Sequence, residues 1–113
     1  MSDSDDIPAC PLPQAPDLSL VEQLRLHPQP PPDDYIAAMR LADIEAQARW
    51  GDDWMRLSWY DRDRDFESPQ HSSECHADSA VPGYVDYGIN HGARLQVDFQ
   101  DGRFVFFYAP VEL

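Results

Sequence analysis

The stretch Leu95-Gln-Val-Asp-Phe-Gln-Asp-Gly-Arg-Phe-Val-Phe-Phe-Tyr108 decides the fold. Asp101-Gly102 is a two-residue hairpin signal, since both residue types tolerate the positive φ that a tight turn demands. With this turn, Gln100 pairs with Arg103, Phe99 with Phe104, Val97 with Phe106 and Leu95 with Tyr108. The last three pairs share one face and form a continuous apolar surface. A slip of one residue would turn all six side chains away from it, so turn and pattern agree on the register. Strands are expected over 93–99 and 103–109.

Reading upstream, a three-residue turn at Asn90-His91-Gly92, with Gly92 left-handed, adds a strand over 84–89. It puts Val85, Tyr87 and Ile89 on the same apolar face; a two-residue turn would put Asp86 and Gly88 there and bury less apolar area. The expected product is a three-stranded antiparallel meander. Its opposite face presents Tyr84, Asp86, Arg94, Gln96, Asp98, Arg103, Val105 and Phe107. That face reads either as solvated, with Phe107 half covered, or as a binding surface, because Tyr, Phe and Arg anchor interfaces.

Further upstream, Trp54-Met55-Arg56-Leu57-Ser58-Trp59-Tyr60 alternates with period two, with Met55, Leu57 and Trp59 on one face. It predicts a strand over 54–60 that joins one edge of the meander. Residues 61–82 lack periodicity and read as a long loop. A helix is expected over 34–50, capped by Asp33 or Asp34 and stopped by Gly51. It carries two apolar stripes, one of Tyr35, Met39, Ala42, Ala46 and Trp50, the other of Ala37, Leu41, Ile44 and Ala48. Such a helix is sandwiched between two layers or keeps one stripe for a partner. Asp17, followed by Leu20, Val21 and Leu24 at helical spacing, predicts a shorter helix over 18–26. Pro8, Pro11, Pro13 and Pro16 make residues 1–16 an acidic, proline-rich arm expected to be flexible. The expected architecture is thus one α+β domain, residues 17–113. Two N-terminal helices pack on a three- to four-stranded antiparallel sheet.

Of the 113 residues, 21 are acidic and 8 basic, all Arg, for a formal net charge of −13. This balance argues against direct binding of nucleic acid, whose phosphates need a basic surface, and against an anionic membrane. The acidic start, Met1-Ser-Asp-Ser-Asp-Asp6, is unlike a secretory signal, and no apolar run approaches a membrane span. A cytoplasmic protein is expected. Cys10 and Cys75 then read as reduced thiols, although a bridge between them stays open.

Four motifs bear on chemistry. Asp61-Arg62-Asp63-Arg64-Asp65 has the opening spacing of a calcium loop, but Phe66 stands where such a loop needs Gly and Ser72 where it needs Glu. His71, Cys75 and His76 offer three zinc-type ligands, with Asp78, His91 or Cys10 as a fourth, without the paired spacing that zinc sites use. Cys75 with His76 or His91 could make a thiol nucleophile and base, but no oxyanion-hole elbow sits beside Cys75. Neighbouring carboxylates such as Asp52-Asp53 carry little information in so acidic a chain. No cofactor is implied.

In size, charge and lack of assembled chemistry, the chain resembles small acidic immunity proteins that neutralise bacterial toxins, and acidic inhibitors that mimic DNA. The resemblance implies a non-catalytic inhibitor of a basic partner such as a toxin or nuclease, or a regulator of a nucleic-acid-binding protein. It carries no residues over. A small metal-dependent or thiol enzyme centred on the 71–76 loop is the alternative class, and a homo-oligomer formed through an edge strand or the second helix stripe is open. For the binding reading, Asp52, Asp53, Asp61, Asp63, Asp65, Glu67, Asp86 and Asp98 supply negative potential, and Trp54, Tyr60, Tyr84 and Phe107 supply anchors.

Overall fold

The computed structural model describes residues 18–69 and 83–111. Seven elements follow in order: β1 (Glu22–Leu26), α1 (Tyr35–Trp50), β2 (Trp54–Asp61), β3 (Phe66–Ser68), α2 (Gly83–Asn90), β4 (Leu95–Phe99) and β5 (Phe104–Pro110). The five strands form one mixed sheet in the order β1-β4-β5-β2-β3. β1 runs parallel to β4, and every other neighbouring pair is antiparallel.

The decisive hairpin forms in the expected register, with Leu95 opposite Tyr108, Val97 opposite Phe106 and Phe99 opposite Phe104. Its turn is longer than two residues. Gln100, Asp101 and Gly102 all take positive φ, and the Arg103 N–H donates to the Phe99 carbonyl at 2.9 Å. Asp98 accepts from the Gly102 N–H at 2.6 Å, so its carboxylate closes the turn.

The expected architecture of two helices on a three- to four-stranded antiparallel sheet is overturned at three elements, the smallest being β3, which pairs with β2 inside the stretch 61–82 expected to be a loop. Residues 22–26 form a strand, where a helix over 18–26 was expected. Leu24 and Leu26 pack against the main core, a spacing of two. An isolated helix of that length is marginal. Pairing with β4 instead satisfies the backbone, with the Glu22 N–H donating to the Arg94 carbonyl and the Gln100 N–H to the Leu26 carbonyl. Residues 83–90 form a helix, where a strand over 84–89 was expected. β4 already lies between β1 and β5, so it has no edge to offer a third partner. Val85, Gly88 and Ile89 instead fall on one helical face, and Val85 and Gly88 are buried. Gly92 does take positive φ, at 87°, but as the cap that ends α2: its N–H donates to the Ile89 carbonyl and that of Ala93 to the Gly88 carbonyl.

The helix expected over 34–50 forms as α1. The Asp34 side chain accepts from the Ala37 N–H at 3.0 Å, and Gly51 ends the helix with φ of 66°. The two helices lie on opposite faces of the sheet. Under α1, Ala38, Ala42 and Ala46 meet Leu95, Val97, Phe99, Phe104, Phe106 and Tyr108. Under α2, Val85 joins Val21, Ala93, Val105 and Phe107. β5 is therefore buried on both sides, and Phe107 is fully enclosed rather than exposed for a partner.

β2 pairs with β5 but carries a bulge between Arg56 and Ser58. The bulge separates the face expected to hold Met55, Leu57 and Trp59 together: Trp59 packs on the α1 side and Leu57 on the α2 side. It also leaves Arg56 opposite Tyr108, where Asp43 of α1 receives both. The Arg56 guanidinium donates to Asp43 at 2.8 Å, and the Tyr108 hydroxyl donates to the same carboxylate at 2.6 Å. Burial first, then the bond to Asp43, pushes the Tyr108 phenol pKa well up.

Candidate functional site

The twelve residues expected to meet a partner do not form one surface. Asp52, Asp53 and Trp54 lie where α1 turns into β2, and Tyr60 to Glu67 lie at the other end of that strand. By strand rise the two groups are roughly 20 Å apart. At the first end, Asp52 and Asp53 are exposed, while Trp54 packs edge-on against Tyr108, 5.5 Å between ring centres.

At the second end, three of the acids are spoken for. Asp61 is buried and holds Arg64 at 2.6 Å, besides accepting from the Asp63 N–H. Asp63 pairs with Arg103 at 2.7 Å, and that bond holds its pKa below the usual carboxylate range. Asp98 closes the hairpin turn as described. Asp86 lies in the first turn of α2, where a carboxylate favours the helix dipole.

The remaining four candidates, Tyr60, Asp65, Glu67 and Tyr84, line one open cleft of about 530 Å³. Sequence and fold each supply part of it. β2 brings Tyr60. The turn after β2, with Asp65 at φ of 50°, starts β3, so Asp65 and Glu67 fall two apart on one side while Phe66 packs on Trp59 from the other. The first turn of α2 brings Tyr84. Glu67 fixes that helix by accepting from the Tyr84 N–H at 3.0 Å, and the Ser58 hydroxyl donates to the Tyr84 carbonyl at 2.6 Å. The helix lies so close to the sheet that a Cβ on Gly88 would stand 2.9 Å from the Phe107 ring.

The two tyrosine rings are stacked, 5.0 Å between centres and 8° from parallel. The Tyr60 hydroxyl donates to Asp65 at 3.3 Å. Desolvation raises the pKa of both phenols, helped at Tyr60 by Asp65; Tyr84 is pushed up to about 12. Both rings are thus neutral hydrogen-bond donors at physiological pH. Each carboxylate keeps one oxygen with no hydrogen-bond donor among the described residues. All eight arginines are described, and none pairs with Asp65 or Glu67.

A second hollow, about 330 Å³, is lined by Leu26, His27, Pro28, Leu41, Ile44, Glu45 and Phe99. Here the second stripe of α1 stays open, with Leu41 38% and Ile44 57% exposed.

His91 stacks on Tyr87, 3.9 Å between centres, and its Nδ1 lies 2.9 Å from the Tyr87 carbonyl. The other zinc and thiol candidates, Cys10, His71, Cys75, His76 and Asp78, lie outside the described residues. Among those that are described, no three His, Cys, Asp or Glu side chains are grouped as a metal ion requires. Nor is any described helix long and apolar enough to cross a membrane.

Residues 21–108 match the family model of a domain of unknown function, DUF5619, and the chain belongs to that family. No curated protein matches it. Among solved structures it is similar to the crystal structure of the protein AF1514 from Archeoglobus fulgidus DSM 4304. The TM-score is 0.63 at 20% identity, over 82% of this chain and 96% of that one. That likeness speaks to the fold alone.

Proposed function

We propose that the chain is a non-catalytic binding module, a stoichiometric inhibitor of a basic protein partner such as a toxin or nuclease, and that the Tyr60–Tyr84 cleft is its point of engagement. One observation carries this reading: two stacked tyrosines share a cleft with two carboxylates that no arginine of the chain neutralises. Aromatic rings give contact area at low entropic cost, and carboxylates beside a ring face reward a cation. The net charge of −13 steers such a partner towards the protein. The DNA-mimic alternative needs carboxylates spaced along a surface and free to be read, and Asp61, Asp63 and Asp98 are tied to internal partners.

The test is calorimetric titration with a short peptide of mixed Lys and Arg across a range of salt. Affinity is expected to fall steeply as salt rises. The pair D65N/E67Q is expected to weaken binding at least tenfold, and D52N/D53N, which removes equal charge from the other end of β2, less than threefold. Equal losses from the two pairs, or a flat salt dependence, would sink the reading.

A further inference from the structure

Among the described residues one arrangement occurs three times: a guanidinium over an aromatic ring, with a carboxylate at its edge. Arg64 lies 4.1 Å above the Tyr35 ring and bonds Asp61. Arg103 lies 4.6 Å from the Phe104 ring and bonds Asp63. Arg56 lies 5.9 Å from the Tyr108 ring and bonds Asp43. In each, the ring face supplies quadrupole attraction and the acid supplies a charge-assisted bond to a planar donor.

The cleft between β2, β3 and α2 has the ring and the acid of this arrangement but draws no arginine from the chain. Tyr60 and Tyr84 present near-parallel rings, and Asp65 and Glu67 stand beside them. Each acid spends one oxygen internally, Asp65 on the Tyr60 hydroxyl and Glu67 on the Tyr84 N–H, which holds the carboxylate in place. The other oxygen of each has no donor among the described residues.

We infer that this cleft receives the guanidinium of an arginine side chain presented by the partner, its plane against an outer face of the stacked tyrosine pair and its N–H groups on Asp65 and Glu67. The inference rests on the binding reading above and narrows it from a basic partner to a particular side chain. Arginine fits better than lysine because a flat, weakly hydrated fork can stack and bond two acceptors at once. An ammonium is a compact, strongly hydrated point charge.

The experiment uses the full chain and three blocked tripeptides, Gly-Arg-Gly, Gly-Lys-Gly and Gly-citrulline-Gly, followed by the aromatic ¹³C resonances of Tyr60 and Tyr84. Citrulline keeps the shape and most of the N–H groups but has no charge. The arginine peptide is expected to shift both rings saturably, at least fivefold more tightly than the lysine peptide and tenfold more tightly than the citrulline one. E67Q keeps an acceptor for the Tyr84 N–H and so preserves the helix start; it is expected to weaken the arginine peptide at least threefold with an unchanged far-ultraviolet spectrum. Equal affinity for lysine and arginine, equal affinity for citrulline, or shifts confined to other residues would overturn the guanidinium site. If the mixed basic peptide still binds at the cleft with the expected salt slope in that case, the broader reading stands; if it too fails, both fall.

Discussion

The two faces of the sheet are covered in contrasting ways. On one, the sixteen-residue α1 lays three alanines, Ala38, Ala42 and Ala46, over a floor of large side chains from β4 and β5. The small residues sit on the helix and the bulk on the sheet. On the other, the eight-residue α2 approaches through Gly88 and borders an open cleft at the ends of β2 and β3. The long helix closes a core; the short one closes half of a core and frames a cleft with the remainder. The larger buried cluster lies on the first face, and the proposed binding cleft on the second.

Three changes would break or sharpen that contrast. The largest effect is expected from Phe106→Ala, fully buried beneath α1. Truncating a buried aromatic costs about 3–5 kcal/mol, read as a lowered urea midpoint at constant slope. A loss below 1 kcal/mol would mean that the α1 face is not the main core. Next is Gly88→Ala. Its new Cβ must displace the enclosed Phe107 ring, an overpacking that costs about 1–3 kcal/mol, offset in part by a helix-propensity gain of about 0.5–1 kcal/mol. The net effect is destabilising, and hydrogen exchange is expected to rise in residues 83–90 before residues 35–50. A stabilised variant would show that α2 does not pack so closely.

The smallest effect is spectroscopic. Tyr84, with its pKa raised to about 12, is expected to ionise well after an ordinary phenol. Because the folded value lies above the unfolded value of about 10, its contribution to stability is complete below pH 10. That contribution is lost as pH rises towards 12. Tyrosinate absorbance of Tyr84→Phe against the parent isolates this transition. Ionisation of Tyr84 near 10 would show that α2 does not shield it.

How much of this could be read from residues alone follows from where each signal resides. Asp34 and Gly51 delimit α1 locally, each within one turn of the helix, so its ends were legible. The pairing of Leu95 with Tyr108 was legible because alternation and turn chemistry converge on it. The states of 22–26 and 83–90 were not, since each depends on which edge of β4 is open, and that is decided by segments far away in sequence. Val85 and Ile89 fit period two and helical spacing alike; the presence of β1 at the other edge of β4 decides between them.

The candidate site shows the same division. Tyr60, Asp65, Glu67 and Tyr84 were identifiable as aromatic and acidic residues of the right kind, but so were Asp61 and Asp63. Only the fold reveals that Arg64 and Arg103 consume the latter two. Phe107 was legible as a large apolar residue on the far face, and its enclosure required knowing that a helix would lie there. One further signal was available: Gly88, placed three residues after Val85, marks where a helix can press against a sheet.

The central position in the sheet belongs to β5, the last described element in sequence. As the chain leaves the ribosome, α1, β2 and α2 all emerge before the strand on which they pack. The order of synthesis therefore runs against the order of assembly, and the two halves of the sheet have no common neighbour until Phe104–Pro110 has been made. The sheet therefore closes only once that strand is available, and a nascent form halted before residue 104 would display the undersides of both helices.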